Sequence, residues 1–336
     1  QGRWKKWFGF ELRNDPFDTY YFIDDDPTPR PIEKYQTDGL FDIGIDYIAN
    51  QWDPSSSFCM CISVEPPHDP FIAPDDLQRI WEEKEIRLPP NFAAKDQQER
   101  ELFIRSRKRY YAMVENLDQN VGRMVEFLRC QALAENTIIL FVSDHGELNG
   151  SHGLRAKQWP YEESIGIPLI VCDPSYSERH GTTVEDPTCT EDLFPTLLGL
   201  AGLKPKNPLP GLDLSGLIRG QIQELDREGI LLEFVSEQRT HAVFHDEVWR
   251  GIRSKRSKYT VKGNKFGGKP WQFFDLDKDP YEMNNLINDQ SSHDTIAYHH
   301  DLLYQRLRET EAPFVLLPAY GKEGYNLWNK EPTSRP

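Results

Sequence analysis

Hydrophobic residues return every three or four positions in two parts of this chain, a spacing typical of amphipathic helices. One part runs from residue 33 to residue 50, and the other runs from residue 95 to residue 130. The second part is marked by five apolar positions, Met113, Leu117, Val121, Met124 and Leu128. The pattern therefore predicts a helix over 33–50 and a much longer helix over 95–130.

Short apolar runs follow a different rule, since they are rich in β-branched and aromatic residues and are bounded by polar turns. Runs of this kind lie at residues 58–64, 136–143 and 165–171, and they predict buried strands. A short helix is predicted over 192–200. Because strands and helices alternate, the sequence predicts an α/β fold with a mostly parallel sheet flanked by helices.

The pattern changes after Pro210 and Gly211. Four short apolar runs lie close together between residues 229 and 276, and this spacing is typical of an antiparallel sheet. Residues 295–311 then repeat with a helical period. The sequence therefore predicts two domains, an α/β core over 1–224 and a small α+β carboxy-terminal subdomain over 225–336.

Three segments lack periodicity and are predicted to be irregular. Residues 1–31 are rich in aromatic residues and proline, and residues 65–95 contain six prolines. Because proline interrupts helices and central strands, both segments are predicted to be loops, and the second is suited to lining a site. The tail after Pro318 is predicted to wrap the surface or to be loose.

Composition narrows the class of protein. The chain has 336 residues and a formal net charge of −15, which argues against nucleic acid and anionic membranes as partners because neither would be attracted. No stretch is long and apolar enough to span a bilayer. The five cysteines have no metal-type spacing, so mostly free, buried thiols are expected, including Cys172 at the end of a strand.

Asp144 and His145 come directly after the apolar run at 136–143. In open α/β sheets, functional side chains collect at the carboxyl ends of strands. A carboxylate beside an imidazole offers a hard oxygen and a borderline nitrogen to one divalent metal. The alternative is a polar turn in which Asp144 caps a helix, and the pair alone does not separate these two interpretations.

A longer motif favours the metal site. Phe-Val-Ser-Asp-His-Gly-Glu at 141–147, Lys157 and Tyr-Glu-Glu-Ser-Ile-Gly-Ile-Pro-Leu-Ile at 161–170 resemble the sulfatases of the alkaline-phosphatase-like superfamily. The loop Pro-Pro-His-Asp-Pro at 66–70 is similar to a further loop of that family. With weaker matches in the same order, the resemblance spans nearly the whole chain. It implies an alkaline-phosphatase-like fold and hydrolysis of organic sulfate esters.

By position, the resemblance implies roles for four residues. Asp144 and His145 would ligate a divalent metal, Lys157 would contact the sulfate, and His68 would approach the sulfate ester and its leaving group. Arg155 adds positive charge that an acidic protein needs beside an anionic substrate. The implied substrate is a sulfated small molecule or carbohydrate, and neither the choice between them nor the oligomeric state follows from the sequence.

Two features of the family are not found in this sequence. One is a pair of aspartates after the first strand, and the other is Cys-x-Pro-Ser-Arg, whose cysteine becomes the formylglycine nucleophile. Cys172-Asp-Pro-Ser-Tyr176 imitates the second feature, but tyrosine replaces the arginine. We therefore expect formylglycine to belong to a segment outside this chain, and we expect the chain alone to be catalytically incomplete.

His145 also bears on the choice of metal. Many members of the family have asparagine at this position and use calcium, so calcium is the metal expected first, whereas imidazole favours manganese or zinc and keeps both as alternatives. The same departure keeps open a phosphonate or phosphodiester hydrolase of the superfamily. A chain without its nucleophile is also compatible with an inert fragment or a sulfated-glycan-binding module. Of the other histidines, His152 is expected to be structural, and His241 and His245 are expected in surface loops.

Overall fold

A computed structural model describes residues 4–10, 14–235, 244, 247–264 and 267–312. The chain divides into two compact units. The first comprises residues 1–88 and 92–137, and the second comprises residues 89–91 and 138–336. His241, His245 and the tail after Pro318 lie outside the described residues, so the predictions made for them stay predictions, as does the proposed boundary at residue 224.

The first unit begins with a small sheet in the segment predicted to be a loop. Its strands are β1 (Phe8–Gly9), β2 (Thr19–Ile23) and β3 (Asp26–Ile32), and both pairings are antiparallel. The loop prediction over 1–31 is therefore wrong. The prolines of β3 stand at every second residue of a strand at the edge of the sheet. An edge strand tolerates proline because alternate residues direct their backbone groups away from the ladder.

Two of the helices in the first unit agree with the periodicity. Helix α1 spans Gln36–Asp46 and runs into a short π-helix, and helix α3 spans Gln97–Cys130. The Asp96 carboxylate accepts a hydrogen bond from the Glu99 backbone N–H at 2.8 Å, which caps the start of α3. The helical predictions over 33–50 and 95–130 are thus confirmed to within a few residues.

Two other predictions in this unit are wrong. Residues 58–64 belong to no strand among the described residues, because a strand exists only where a neighbour pairs with it. Within the proline-rich segment, helix α2 spans Asp75–Glu83. It begins directly after Pro74 and packs Leu77 against Ala112 and Met113 of α3. The prolines delimit this helix and do not prevent it.

The second unit begins with the strand that carries the Asp-His pair. Strand β4 (Ile139–Val142) pairs with β5 (Leu169–Cys172), and helix α4 (Glu162–Ile165) lies between them in the chain. Helices α5 (Leu193–Leu200) and α6 (Ser215–Ile218) follow. Both predicted strands and the helix over 192–200 are therefore present.

A four-stranded antiparallel sheet completes the second unit. Its order is β6 (Ile230–Phe234), β7 (Val248–Arg253), β8 (Ser257–Asn264) and β9 (Gly267–Asp275). Helix α7 (His293–Glu309) covers one face, where its leucines pack against Tyr259 and Val261 of β8. Lys258 and Thr260 lie on the other face of β8 and are also fully buried. The strand is thus covered on both sides.

These elements confirm the α/β class and the carboxy-terminal antiparallel sheet. Every strand pair among the described residues is antiparallel, so the mostly parallel arrangement is not seen in them. The part of the chain that the structure describes contains no helix long and apolar enough to cross a membrane.

The cysteines depart from expectation. All five are free, but Cys59, Cys61, Cys130 and Cys172 are exposed and Cys189 is half-buried. Cys172 ends a strand whose alternate positions, Ile170 and Cys172, face outward, so the prediction of a buried thiol there is wrong. Its Sγ lies 3.7 Å from His180 Nε2.

Candidate active site

Asp144 and His145 follow β4 after one residue, Ser143, and are held by local backbone contacts. The Oδ1 atom of Asp144 accepts from the His145 backbone N–H at 2.9 Å, which leaves the Oδ2 atom turned toward the imidazole. The Nδ1 atom of His145 lies 2.9 Å from the Gly146 carbonyl oxygen. Because a carbonyl only accepts, Nδ1 is the donor in this contact, and Nε2 is the ring nitrogen left to face Asp144.

The remaining donor atoms suit a divalent metal. Asp144 Oδ2 and His145 Nε2 are 3.5 Å apart, and two neighbouring ligands of one ion are separated by roughly 3–3.5 Å when each bond is 2.0–2.6 Å. The Asp144 side chain is 83% exposed, so an ion can approach it. Among the described residues, no third His, Cys, Asp or Glu joins this pair.

Gly146 anchors the pair to helix α4. Its N–H donates to the Ser164 carbonyl at 2.8 Å, and a Cβ at this position would overlap the Glu163 carbonyl. Only glycine allows so close an approach of the two backbones. The Asp-His-Gly and Tyr-Glu-Glu-Ser segments of the sequence are therefore neighbours in space.

Lys157 lies in the loop that follows the Asp-His pair. The Leu148 N–H donates to the Ala156 carbonyl at 2.9 Å. Because Leu148 follows His145 by three positions and Ala156 directly precedes Lys157, this bond connects the two ends of the loop. Lys157 is half-buried, and no ion pair of its ammonium occurs in the part of the chain that the structure describes. A lysine in this state is available to a bound anion.

His152 takes part in a polar cluster beneath this loop. Its ring stacks on Tyr161 with centroids 3.8 Å apart, and its Nε2 lies 3.0 Å from the Asn91 amide nitrogen. Burial lowers the pKa of His152, which favours the neutral imidazole. The Asn91 amide also donates to Glu163 at 2.6 Å. These contacts agree with a structural role.

Ligand atoms of His152, Glu163 and Glu282 lie within 4.8 Å of one another, a spacing that would suit a metal. An ammonium already occupies this neighbourhood, since Lys258 Nζ lies 2.5 Å from Glu282 Oε1. The positive charge of Lys258 neutralises Glu282 and repels a divalent ion. We therefore interpret the cluster as a buried ion network.

The network continues from Glu282 to the start of helix α4. Lys258 Nζ also lies 3.1 Å from Glu162 Oε1, and Arg253 contacts the other oxygen of Glu162 at 3.1 Å. Burial raises the pKa of Glu282 to about 7. Burial opposes ionisation of Glu162 too, but Lys258 and Arg253 lower the pKa of that carboxyl. Two acids and two bases thus join α4 to the carboxy-terminal sheet.

Sequence reasoning missed this network. Lys258 is separated from Glu162 by 96 positions, and nothing in the local pattern of β8 marks one lysine as buried. Glu162 and Glu163 stood within the Tyr-Glu-Glu-Ser motif, which was the one available signal.

The described residues also line a cavity of about 200 Å³. It is lined in part by Val142, Cys189 and Arg253, and the predicted site residues are not among its walls.

His68 belongs to the first unit, whereas Asp144, His145 and Lys157 belong to the second. The Nδ1 atom of His68 lies 2.6 Å from the Asp69 carbonyl oxygen, which can only accept a hydrogen bond from it, so Nε2 is the ring nitrogen left for other contacts. The side chain is half-buried. Its convergence with the other three residues on one pocket stays a prediction.

Comparison with known proteins defines the class. The family model described as Sulfatase matches residues 4–203, and the model described as N-sulphoglucosamine sulphohydrolase, C-terminal, matches residues 150–310. The chain therefore belongs to the sulfatase family of sulfuric-ester hydrolases. The family resemblance predicted from the sequence and its alkaline-phosphatase-like fold are confirmed.

Individual relatives support the same family assignment. The chain is 30% identical over 289 residues to the ulvan-active sulfatase of Formosa agariphila, covering 84% of this chain and 54% of that protein. It is 28% identical over 312 residues to the choline-sulfatase of Rhizobium meliloti, covering 83% and 58%. The chain thus spans somewhat more than half the length of these relatives.

Solved structures show the same fold. The structure of yidJ from Bacteroides fragilis aligns with a TM-score of 0.80 at 27% identity, over 92% of this chain and 66% of its own. The phosphonate monoester hydrolase of Agrobacterium radiobacter aligns with a TM-score of 0.67 at 25% identity, over 81% and 60%. The superfamily alternative considered above is thus also represented among the structural neighbours.

Proposed function

We propose that this chain forms the part of a sulfatase that holds the substrate sulfate and one side of the metal. The observation that carries this proposal is the pair of donor atoms on Asp144 and His145, which lie 3.5 Å apart. The loop that follows them carries the Lys157 ammonium, which makes no ion pair with any residue that the structure describes. Metal-assisted attack on a sulfate ester requires ligands for the metal and a cation for the sulfate. Asp144 and His145 offer the ligands, and Lys157 offers the cation.

Each of the four residues has a distinct task in this proposal. Asp144 and His145 would hold a divalent ion, whose chemistry is polarisation of the sulfate oxygens. Lys157 binds the sulfate and neutralises charge that develops on it. His68 contacts the leaving-group oxygen and, when protonated, donates a proton to it. His68 and Lys157 are therefore the proposed catalytic and substrate-binding residues of this chain.

Calcium is the metal that the family resemblance favours, and the donor set keeps manganese and zinc as candidates. An imidazole nitrogen beside a carboxylate suits manganese or zinc, whereas calcium prefers six to eight oxygens. Two donors leave any ion mostly hydrated, so we expect weak binding by this chain alone. Calorimetric titration with calcium, manganese and zinc tests this expectation. Asp144→Ala should abolish binding, and Asp118→Ala, which removes an exposed carboxylate of α3, should not change it.

The sulfate role of Lys157 is tested with the chain as it stands. Wild-type protein and Lys157→Ala are titrated with inorganic sulfate, and Lys255→Ala provides a control for loss of an exposed lysine. We expect sulfate binding that Lys157→Ala weakens and Lys255→Ala does not. Equal affinity in all three proteins would refute the assignment of Lys157.

The chain itself is expected to show no turnover, since neither Cys-x-Pro-Ser-Arg nor the paired aspartates occur in its sequence. An aryl sulfate assay with added calcium or manganese measures this. Metal-dependent turnover that Lys157→Ala abolishes would mean that the chain contains its own nucleophile, and the proposal of an incomplete site would be wrong.

A sulfated carbohydrate is the substrate class that we favour, because one relative is named for activity on ulvan. A phosphonate or phosphodiester is the second candidate, which the alignment with a phosphonate monoester hydrolase supports. Competition of phenylphosphonate and of a sulfated monosaccharide against sulfate separates the two. Stronger displacement by the phosphonate would favour the second candidate.

A further inference from the structure

The loop between the Asp-His pair and Lys157 has an unusual backbone. Three of its non-glycine residues have positive φ angles, namely Asn149 at 43°, His152 at 54° and Ala156 at 59°, and so does Gln158 at 87°, directly after Lys157. This conformation is unfavourable for side chains with a Cβ and persists only where surrounding contacts fix it. Ala156 and Gln158 are the two residues that flank Lys157.

Specific hydrogen bonds fix the backbone on both sides of Lys157. On the amino-terminal side, Glu147 Oε1 accepts from the Ala156 N–H at 2.7 Å, and the Ala156 carbonyl accepts from Leu148. On the carboxy-terminal side, the Gln158 carbonyl accepts from the indole of the buried Trp249 at 2.7 Å. Lys157 is therefore carried by a short backbone segment that is held at both ends.

Glu147 is the side chain that joins this segment to the metal pair. It stands two residues after His145, and its Oε1 also accepts from the Asn149 N–H at 3.1 Å. One carboxylate oxygen thus satisfies the N–H groups of two residues with positive φ, Asn149 and Ala156. Neither bond caps a helix or extends a strand. Their effect is to fix the distance and direction between the Asp-His pair and Lys157.

We propose that Glu147 is a positioning residue, whose carboxylate orients the Lys157 backbone so that the ammonium faces the sulfate bound beside Asp144 and His145. The proposal rests on the sulfate-binding role proposed above for Lys157. Glu147 itself contacts neither substrate nor metal in this scheme. Its influence passes through the Ala156 N–H.

The test combines two readouts on the full chain. Affinity for inorganic sulfate is measured by calorimetry, and exchange of the Ala156 amide hydrogen is followed by NMR. The variants are Glu147→Ala, which removes the acceptor, and Glu147→Gln, which keeps an acceptor oxygen of the same reach. Glu178→Ala, which removes an exposed carboxylate of the same unit, is the matched control.

We expect Glu147→Ala to weaken sulfate binding about tenfold, the effect of losing charge-assisted hydrogen bonds, and to release the Ala156 amide to fast exchange. Glu147→Gln should restore most of the affinity. In the Lys157→Ala background, Glu147→Ala should have no further effect on sulfate, because a positioning residue acts only through the group that it positions.

Two outcomes overturn the proposal. The first is an Ala156 amide that stays protected in Glu147→Ala, and the second is a loss of sulfate affinity that persists undiminished in the Lys157→Ala background. Absence of sulfate binding by the wild-type protein would instead refute the proposed function. The amide exchange would then decide the role of Glu147 in loop geometry independently.

Discussion

Replacing Lys258 by methionine should destabilise the second unit strongly. The Lys258 side chain is 0% exposed and its ammonium contacts Glu282, which is also 0% exposed, and Glu162. Methionine fills similar volume but leaves the Glu282 carboxylate buried without its cation. Removing one partner of a buried ion pair costs about 3–5 kcal/mol, so we expect this loss in the free energy of unfolding at pH 8.

The loss should depend on pH. Burial raises the pKa of Glu282 to about 7 in the presence of Lys258, and removal of the cation raises it further. At pH 5.5 the carboxyl of the variant is therefore protonated and needs no cation, so the difference from wild type should shrink. Urea unfolding at the two pH values, followed by tryptophan fluorescence, measures the effect.

Two controls make the result specific. Lys255→Met removes a half-exposed lysine from the turn before β8, where its carboxylate partners lie 3.9–4.0 Å away, and it should cost less than about 1 kcal/mol. The double variant Lys258→Met with Glu282→Gln removes both charges and should recover at least half of the loss. A cost below about 1 kcal/mol for Lys258→Met at pH 8, or no recovery in the double variant, would show that the network does not stabilise this unit.

Three further predictions follow from other features. The pKa of Glu282 is about 7 in the folded state against an ordinary 4.5, so the folded state binds more protons than the unfolded state between these pH values. The free energy of unfolding of the wild type should therefore fall by up to about 3 kcal/mol from pH 4.5 to pH 7. Urea unfolding of Glu282→Gln should lack this decrease, and an equal pH dependence in both proteins would contradict the prediction. Gly146→Ala should lower stability by about 1–3 kcal/mol in thermal unfolding, because the added Cβ overlaps the Glu163 carbonyl. The control Gly122→Ala, in the open middle of α3, should be neutral or stabilising. Similar values for the two variants would refute the close approach of Gly146 to Glu163. Cys189, whose burial raises the pKa of its thiol to about 12, should react more slowly with a disulfide reagent than the exposed Cys172, and single-cysteine variants with equal rates would disprove this.

The sequence predicted elements where local periodicity decides the structure. Helix α3 carries a repeating apolar pattern and was located to within a few residues, and the four carboxy-terminal strands lie within the predicted interval 229–276. Residues 58–64 have an equally good strand pattern, but pairing depends on a neighbour that no local pattern encodes. The sheet at 8–32 was missed for the opposite reason, since its prolines are acceptable only because β3 happens to lie at an edge.

In the candidate site, too, some residues could be predicted from local sequence and others depend on the folded structure. Asp144, His145 and Lys157 belong to a compact motif, so similarity to a family was sufficient to propose them. Lys258 and Glu282 act through burial, and burial depends on how β8 is covered on both faces. Glu147 stood inside the motif, but its importance comes from hydrogen bonds to Ala156 and Asn149 that only the folded loop reveals.

The prolines of β3 have a consequence for self-association. Residues 27, 29 and 31 are prolines of this edge strand, whose pairing with β2 shifts register between Tyr21 and Ile23. Since proline has no N–H, these three positions lack the donors that an approaching strand requires. Replacement of the three prolines by threonine would restore these donors. The proline spacing thus protects an exposed sheet from aggregation by strand addition.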